Sequence, residues 1–469
     1  MNKAIRFRLF LMMVLEFFIW GAWLPLIFGY LPSLGFSASE PPKVLMPLVN
    51  ITASLPIIPY ILRVFLSEQA LILNAFPIAA IVGMFFSNQY ADRHFSAERF
   101  LGASHLIGGL AVLSLFWVRS FWPFFGLMLV HCLLYVPTIS IANSIAFANI
   151  KDPQKEFGSV RVGGTIGWIM AAWPFTFILV DWDKVRALAP QGLTNWLGTV
   201  LGSGLTGEAL KQGTRWTFLV SGIASLVLAL YSLTLPHTPP KKIEQGADRF
   251  AWLEALKLLK QPFVLVLWLV TFIDAFVLYT YFNWTGIFLG ATKEAGGVGV
   301  AGNWIMPVMS IGQIAEILTM FILGATLKRL GWRWTMTIGI LGHAARFGVY
   351  AFYPDATPVI VVQLLHGICY AFFFATVYIF ADEYFPKDVR TSAQGLFNMM
   401  ILGLGALAAN SICPYLMQNV FTHNGAVDFR GLFLVPLAVA LVAAMALAFF
   451  FKPPKQPALA PAGEPAVAV

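Results

Sequence analysis

Apolar residues run along this chain in long uninterrupted blocks, separated by short polar or basic segments. Blocks long enough to cross a hydrocarbon layer of about 30 Å lie at 8–31, 69–90, 100–118, 122–148, 161–181, 215–235, 262–289, 299–327, 334–353, 358–381, 391–418 and 430–451. The pattern predicts an all-α membrane protein with about twelve transmembrane helices. The first block follows Lys3, Arg6 and Arg8 but exceeds the apolar core of a signal peptide and has no convincing cleavage site, so it reads as a retained first helix.

The blocks divide six and six around PHTPPKKIEQGADRFAWLEALKLLKQP, whose proline-rich start and basic continuation suit a cytoplasmic linker with a surface helix. The expected organisation is an N-terminal six-helix half at 1–235, a linker at 236–261, a C-terminal six-helix half at 262–452 and a disordered Pro/Ala-rich tail at 453–469. Two six-helix halves joined in this way describe the major facilitator fold. A weak repeat agrees: Asp92-Arg93 follows the second block and GATLKRLGWR follows the eighth, and both resemble the short basic loop that this superfamily places after the second helix of each half, with Asn88 replacing its usual glycine in the first copy. Residues 32–68 are apolar enough to resemble a further span. Counting them would invert every later loop against the charge bias, and their prolines favour an external or re-entrant segment. Residues 182–214 read as a short amphipathic cap on the same side.

Composition supports the membrane reading. Of 469 residues 59% are hydrophobic and 11% charged, with a mean hydropathy of +0.76; a soluble domain carries about 25% charged residues. The net charge of +8 would suggest nucleic acid in a soluble protein, but most of the 30 lysines and arginines fall between blocks on one side. The positive-inside rule then places both termini in the cytoplasm. Cys132, Cys369 and Cys413 lie inside blocks without metal or disulfide spacing, so no metal site and no cofactor are expected.

Ionisable residues inside a bilayer helix cost about 2.5–3.5 kcal/mol each and usually line a pathway. Arg161, Thr165 and Trp168 are spaced i, i+4, i+7 on one helix face and can present a guanidinium, a hydroxyl and an aromatic plane to one ligand. The structural alternative puts Arg161 at a cytoplasmic helix end, snorkelling among Lys151 and Lys155. Gln313 and Glu316 are i, i+3 neighbours in the eighth block, where Glu316 can accept from ligand hydroxyls, pair with Arg161, take up a proton, or make a structural interhelical bond. Glu16 and Asp274 occupy matching places in the first and seventh blocks, as protonation sites or helix-packing acids. Arg346 reads as a structural partner near a helix end, and His131, His343 and His366 as packing residues. Aromatic residues crowd the seventh block at Tyr279, Tyr281, Phe282 and Trp284, and the tenth at Tyr370, Phe372, Phe373 and Phe374; rings beside Arg, Gln and Glu suit a nucleobase or sugar.

The stretches FFIWGAWL (17–24), YVPTISIANSIAF (135–147), RVGGTIGWIMAAW (161–173), LTLPHTP (233–239), MSIGQIAEIL (309–318) and VRTSAQGLFNMM (389–400) keep their order and spacing along both halves. In them the chain resembles the nucleoside:proton symporters of the major facilitator superfamily, typified by the enterobacterial nucleoside permeases. The resemblance implies substrate-binding roles for Arg161, Thr165, Trp168, Gln313 and Glu316, with His366 and Tyr370 at the family's tenth-span ring positions. It also aligns the family's seventh-span Gln and Asn with Tyr279 and Phe282, with Asn283 and Tyr281 nearby, and a tenth-span Asp of the transport cycle with Ala371. Coupling is therefore expected at Glu316, Glu16 or Asp274.

The implied activity is nucleoside import with protons, by alternating access around a site between the fifth, seventh, eighth and tenth helices. The partners are a nucleoside, protons and the lipid bilayer of a bacterial inner membrane, with no nucleic acid and the protein as a monomer. No GxxxxGK[ST] loop is present for ATP, and no HExxH, clustered His/Asp set or nucleophile beside a base points to an enzyme. A sugar:proton symporter of the same superfamily, or a solute sensor that binds without transporting, would use similar polar groups.

Overall fold

The computed structural model describes residues 3–55, 57–83, 95–150, 153–240, 256–385 and 387–453. Asp92-Arg93 and Asn88, most of the linker and nearly all of the tail lie outside them. The described chain is almost wholly helical, apart from a two-stranded hairpin pairing Thr422–His423 with Ala426–Val427.

Eight helical stretches among the described residues are long and apolar enough to cross a membrane: Lys3–Ser33, Phe121–Asn149, Gly207–Thr234, Pro262–Gly290, Gly302–Phe352, Ala356–Tyr384, Ala393–Val420 and Phe429–Phe450. The 51-residue run Gly302–Phe352 carries two predicted blocks; it breaks at Gly331, whose φ of 69° only glycine adopts easily, beside the exposed Lys328 and Arg329. Three predicted blocks fall on helices below that measure. Ala97–Ser114 opens on Glu98 and Arg99, and Pro153–Ala172 carries Glu156 and Arg161. The block at 69–90 begins as Glu68–Leu73 and Ala75–Val82, separated at Asn74, and continues into residues that are not described.

The residues at 32–68 form no long helix. They fold into the short helices Met46–Ile51 and Ile58–Phe65, whose prolines stand near the helix starts, and leave Leu48, Ile51, Ile58 and Tyr60 exposed. The segment 182–214 forms Trp182–Leu188, Leu193–Leu201 and Gly207–Gly213, the first capped by Asp181, which accepts from the Lys184 N–H at 3.0 Å.

Two large apolar cores hold the helices. One gathers Leu9, Met13, Phe76, Phe124, Tyr135 and Phe218; the other gathers Trp284, Phe288, Phe347, Phe373 and Phe433, joined by Ala22, Leu26 and Phe175 from the earlier part of the chain. The tightest helix contacts form where glycine removes a side chain. A Cβ at Gly163 would lie 2.6 Å from the Phe10 carbonyl oxygen and one at Gly167 would strike the Val14 backbone, so the RVGGTIG motif seats Pro153–Ala172 directly on Lys3–Ser33. Likewise a Cβ at Gly312 would sit 2.8 Å from His366 Cβ and one at Gly367 2.6 Å from the Glu316 nitrogen, which draws His366 and Glu316 together.

Candidate functional site

Pro153–Ala172 brings Arg161, Thr165 and Trp168 to one face, all half-buried. Arg161 is the ninth residue of that helix and its guanidinium carbon lies 4.4 Å from the centroid of Phe17, a cation–π contact. Arg161 thus faces Phe17 on the first helix, whereas Lys151 and the side chain of Lys155 lie outside the described residues. Gly164 makes the contact possible, since a Cβ there would come within 2.8 Å of the Phe17 ring and collide with the guanidinium.

Across from it, Glu316 and Tyr370 are also half-buried and close enough to Arg161 to interact electrostatically. Trp168 meets Phe282 edge to face at 6.1 Å, and Phe282 lies 6.2 Å from both Tyr279 and His366. Gln313 and His366 are buried and meet at 3.4 Å between Nε2 atoms. Eight of the nine residues singled out for substrate thus approach one another, drawn from four segments distant in sequence, and Thr165 shares the helix face of Arg161 and Trp168. Arg161, Thr165, Trp168, Phe282, Glu316 and Tyr370 keep exposed surface, while Tyr279, Gln313 and His366 stand behind them.

Of the other two coupling candidates, Glu16 is fully enclosed. Its Oε2 is 2.9 Å from His105 Nε2, and its Oε1 accepts from Thr138 at 2.8 Å. Asp274 is also buried, 3.8 Å from His343 Nε2. Ala371 lies in the π-helical turn Tyr370–Ala375, in an apolar cluster with Leu323 and Phe372.

Several residues of the site escape a sequence reading. Trp20 stacks on Phe76 at 4.5 Å, meets Trp168 edge-on at 5.1 Å, and its buried indole N–H has no partner among the described residues. Tyr378 lies within electrostatic reach of Arg161, Tyr279 and Tyr370 and donates to Asn398 Oδ1 at 2.5 Å. Arg346, expected near a helix end, is fully buried at the centre of a polar cluster. The pair His343 and Arg346, i and i+3 inside an apolar block, is the visible signal for it.

The family described as Nucleoside H+ symporter matches residues 3–58, 55–193 and 200–456. The putative nucleoside transporter YegT of Escherichia coli (strain K12) is 29% identical over 455 residues, covering 94% of this chain and 93% of that protein. The xanthosine permease of the same organism is 25% identical over 466 residues, covering 96% of each. Among solved structures, nucleoside transporter NupG aligns with a TM-score of 0.72 at 23% identity, over 96% of this chain and 100% of its own. A D-xylose-proton symporter aligns with a TM-score of 0.62 at 14% identity, over 95% and 98%. Both structural likenesses speak for the fold alone.

Proposed function

The chain belongs to the nucleoside H+ symporter family, and from that premise we propose that it imports nucleosides by proton symport across the inner membrane of a bacterium. In this reading it is a monomer of two six-helix halves, at 1–235 and 262–452, joined by a cytoplasmic linker, with twelve spans and both termini in the cytoplasm. The charge bias of the loops supports that orientation. Transport proceeds by alternating access, the halves rocking about a site near the membrane midplane.

The observation that carries the reading is that Arg161 lies within electrostatic reach of Glu316 and Tyr370, beside Trp168 and Phe282. Trp168, Phe282 and Tyr370 offer flat faces to a nucleobase, and Tyr279 backs them. Glu316 accepts from ribose hydroxyls, and Arg161, Thr165 and Gln313 donate to base or ribose oxygens, with His366 holding Gln313 from behind. The proton is carried by one of the acids Glu316, Glu16 or Asp274.

Labelled uridine uptake into proteoliposomes, with and without an inward proton gradient, tests substrate and coupling together. The expected result is gradient-dependent accumulation, competed by nucleosides and not by monosaccharides. Glu316→Gln weakens a charge-assisted bond and is expected to raise KM about tenfold. Competition by monosaccharides alone, or an unaltered Glu316→Gln carrier, would remove the assignment.

A further inference from the structure

Behind the site, buried polar groups form one connected line. Neither oxygen of Asp274, on Pro262–Gly290, has a hydrogen-bond partner among the described residues, and the same holds for His343 Nε2, 3.8 Å away. On its other side His343 Nδ1 is 2.7 Å from Arg346 Nη2, and Arg346 Nη1 is 3.0 Å from His366 Nδ1. The guanidinium carbon lies 4.0 Å from the Tyr281 ring centroid, which holds the fork in place. His366 closes the line on Gln313.

The chemistry of Arg346 fixes the protons along this line. A guanidinium only donates, so both Nδ1 atoms accept and each neutral imidazole carries its proton on Nε2. Protonating either ring would set N–H against N–H, so the histidines stay neutral. The His366 Nε2–H then needs an acceptor, and the amide of Gln313 supplies one by turning its Oε1, otherwise buried without a partner, toward the ring. The His343 Nε2–H faces Asp274 across the gap. Asp274 is the one group in the line free to exchange a proton.

The matching acid of the first helix differs. Both Glu16 oxygens have partners at 2.9 and 2.8 Å, and His105 Nδ1 is held by Ser225 at 3.0 Å. That pair is closed, whereas the Asp274 pair is open and linked to the site.

We propose that Asp274 carries the coupled proton, and that His343, Arg346 and His366 transmit its ionisation to the substrate site at Gln313. The proposal rests on the reading of the chain as a proton-coupled carrier and selects one of its three candidate acids. The carboxylate takes one proton from water on the outer side and later returns it to water on the inner side, with no other bond made or broken. When ionised, Asp274 attracts the His343 N–H and the Arg346 charge, and closing the gap to the usual distance of about 2.9 Å pulls on His366 and Gln313. The groups facing Asp274 are His343 and Arg346 from Gly302–Phe352 and Cys369 from the tenth span. Of the other elements packed on its helix, Lys3–Ser33 carries Glu16, already paired, and Lys3, Arg6 and Arg8 in its first two turns; Leu258–Lys260 carries Lys260; Gly405–Tyr415 and Met399–Leu404 carry no charged side chain; and Phe429–Phe450 carries only Arg430, in its first turn.

The test compares wild type with Asp274→Asn in proteoliposomes, by uridine counterflow, which needs no net proton movement, and by gradient-driven accumulation. Asp274→Asn is expected to keep counterflow within about threefold and to lose accumulation by about tenfold or more; wild-type accumulation in the variant overturns the proposal. A second readout needs no substrate and covers a variant that fails to transport: pH-difference infrared spectra of wild type, Asp274→Asn and Asp274→Glu in lipid. A titrating carboxylic C=O band present in wild type, shifted in Asp274→Glu and missing from Asp274→Asn is expected, and identical bands in all three overturn the assignment. If wild type carries no uridine, the substrate reading falls while the infrared comparison still decides the role of Asp274.

Discussion

Arg161 owes its place to the residue it does not touch through a side chain. Gly164 leaves room for the guanidinium over Phe17, and the atoms nearest to an added methyl would be that flexible tip and the ring edge. Gly164→Ala is therefore expected to spare the fold while displacing the charge from the site. Loss of a cation–π contact of about 0.5–2 kcal/mol predicts a several-fold higher KM for uridine at a nearly unchanged Tm; equal KM values would show that Arg161 does not need this position. Ala371 presents the opposite case. Where the resemblance leads one to expect a carboxylate, a methyl sits among Leu323, Phe372 and their apolar neighbours. Ala371→Asp would place an acid without a partner at a cost of about 2.5–3.5 kcal/mol. It should lower Tm in a thermal scan without improving gradient-driven uptake, and enhanced uptake would mean that the position still reaches the coupling machinery.

Among helices, glycine decides which backbones can touch. A Cβ at Gly167 would strike the Val14 main chain, which cannot swing aside as a side chain can, so Lys3–Ser33 and Pro153–Ala172 would have to separate. Gly167→Ala should destabilise by about 1–3 kcal/mol through overpacking. Gly158→Ala on the same helix, where a Cβ meets nothing within 4 Å, is the control and should be neutral or slightly stabilising. Equal thermal stability of the two variants would refute this account of the motif. The contrast also marks what a sequence can display. Long apolar blocks announce the helices, and the i, i+4, i+7 spacing by itself puts Arg161, Thr165 and Trp168 on one face of the helix that carries them. Spacing within a helix does not say which backbone faces each glycine, nor that Arg346 sits between His343 and His366, because those contacts depend on how separate helices pack. Asn74 and Ser411, bonded at 2.8 Å, stand 337 residues apart, and no local pattern links them.

In the whole molecule, the polar contacts between the earlier and later parts of the chain that the described residues make gather at the end away from the two termini. Gln69 and Gln418 exchange bonds at 3.2 and 3.0 Å, Asn74 donates to Ser411, Asn410 donates to the Leu73 carbonyl at 2.9 Å, and Trp304 donates to the Leu201 carbonyl at 2.8 Å. In the proposed orientation, with both termini in the cytoplasm, these contacts would close the outer face, and loading from outside would require them to part. Neutral side-chain bonds of about 0.5–1.5 kcal/mol each suit such a gate: a few together hold it shut, while substrate binding suffices to shift the balance. Paired Gln69→Cys and Gln418→Cys substitutions place two thiols at this seam, and Cys132, Cys369 and Cys413 are all buried, so oxidation should join the introduced pair selectively. The joined carrier is expected to lose uridine uptake and to recover it on reduction, because it can no longer open outward. Full uptake by the oxidised protein, with the cross-link verified by mass spectrometry, would mean that the halves transport without separating at this end and would place the outer gate elsewhere.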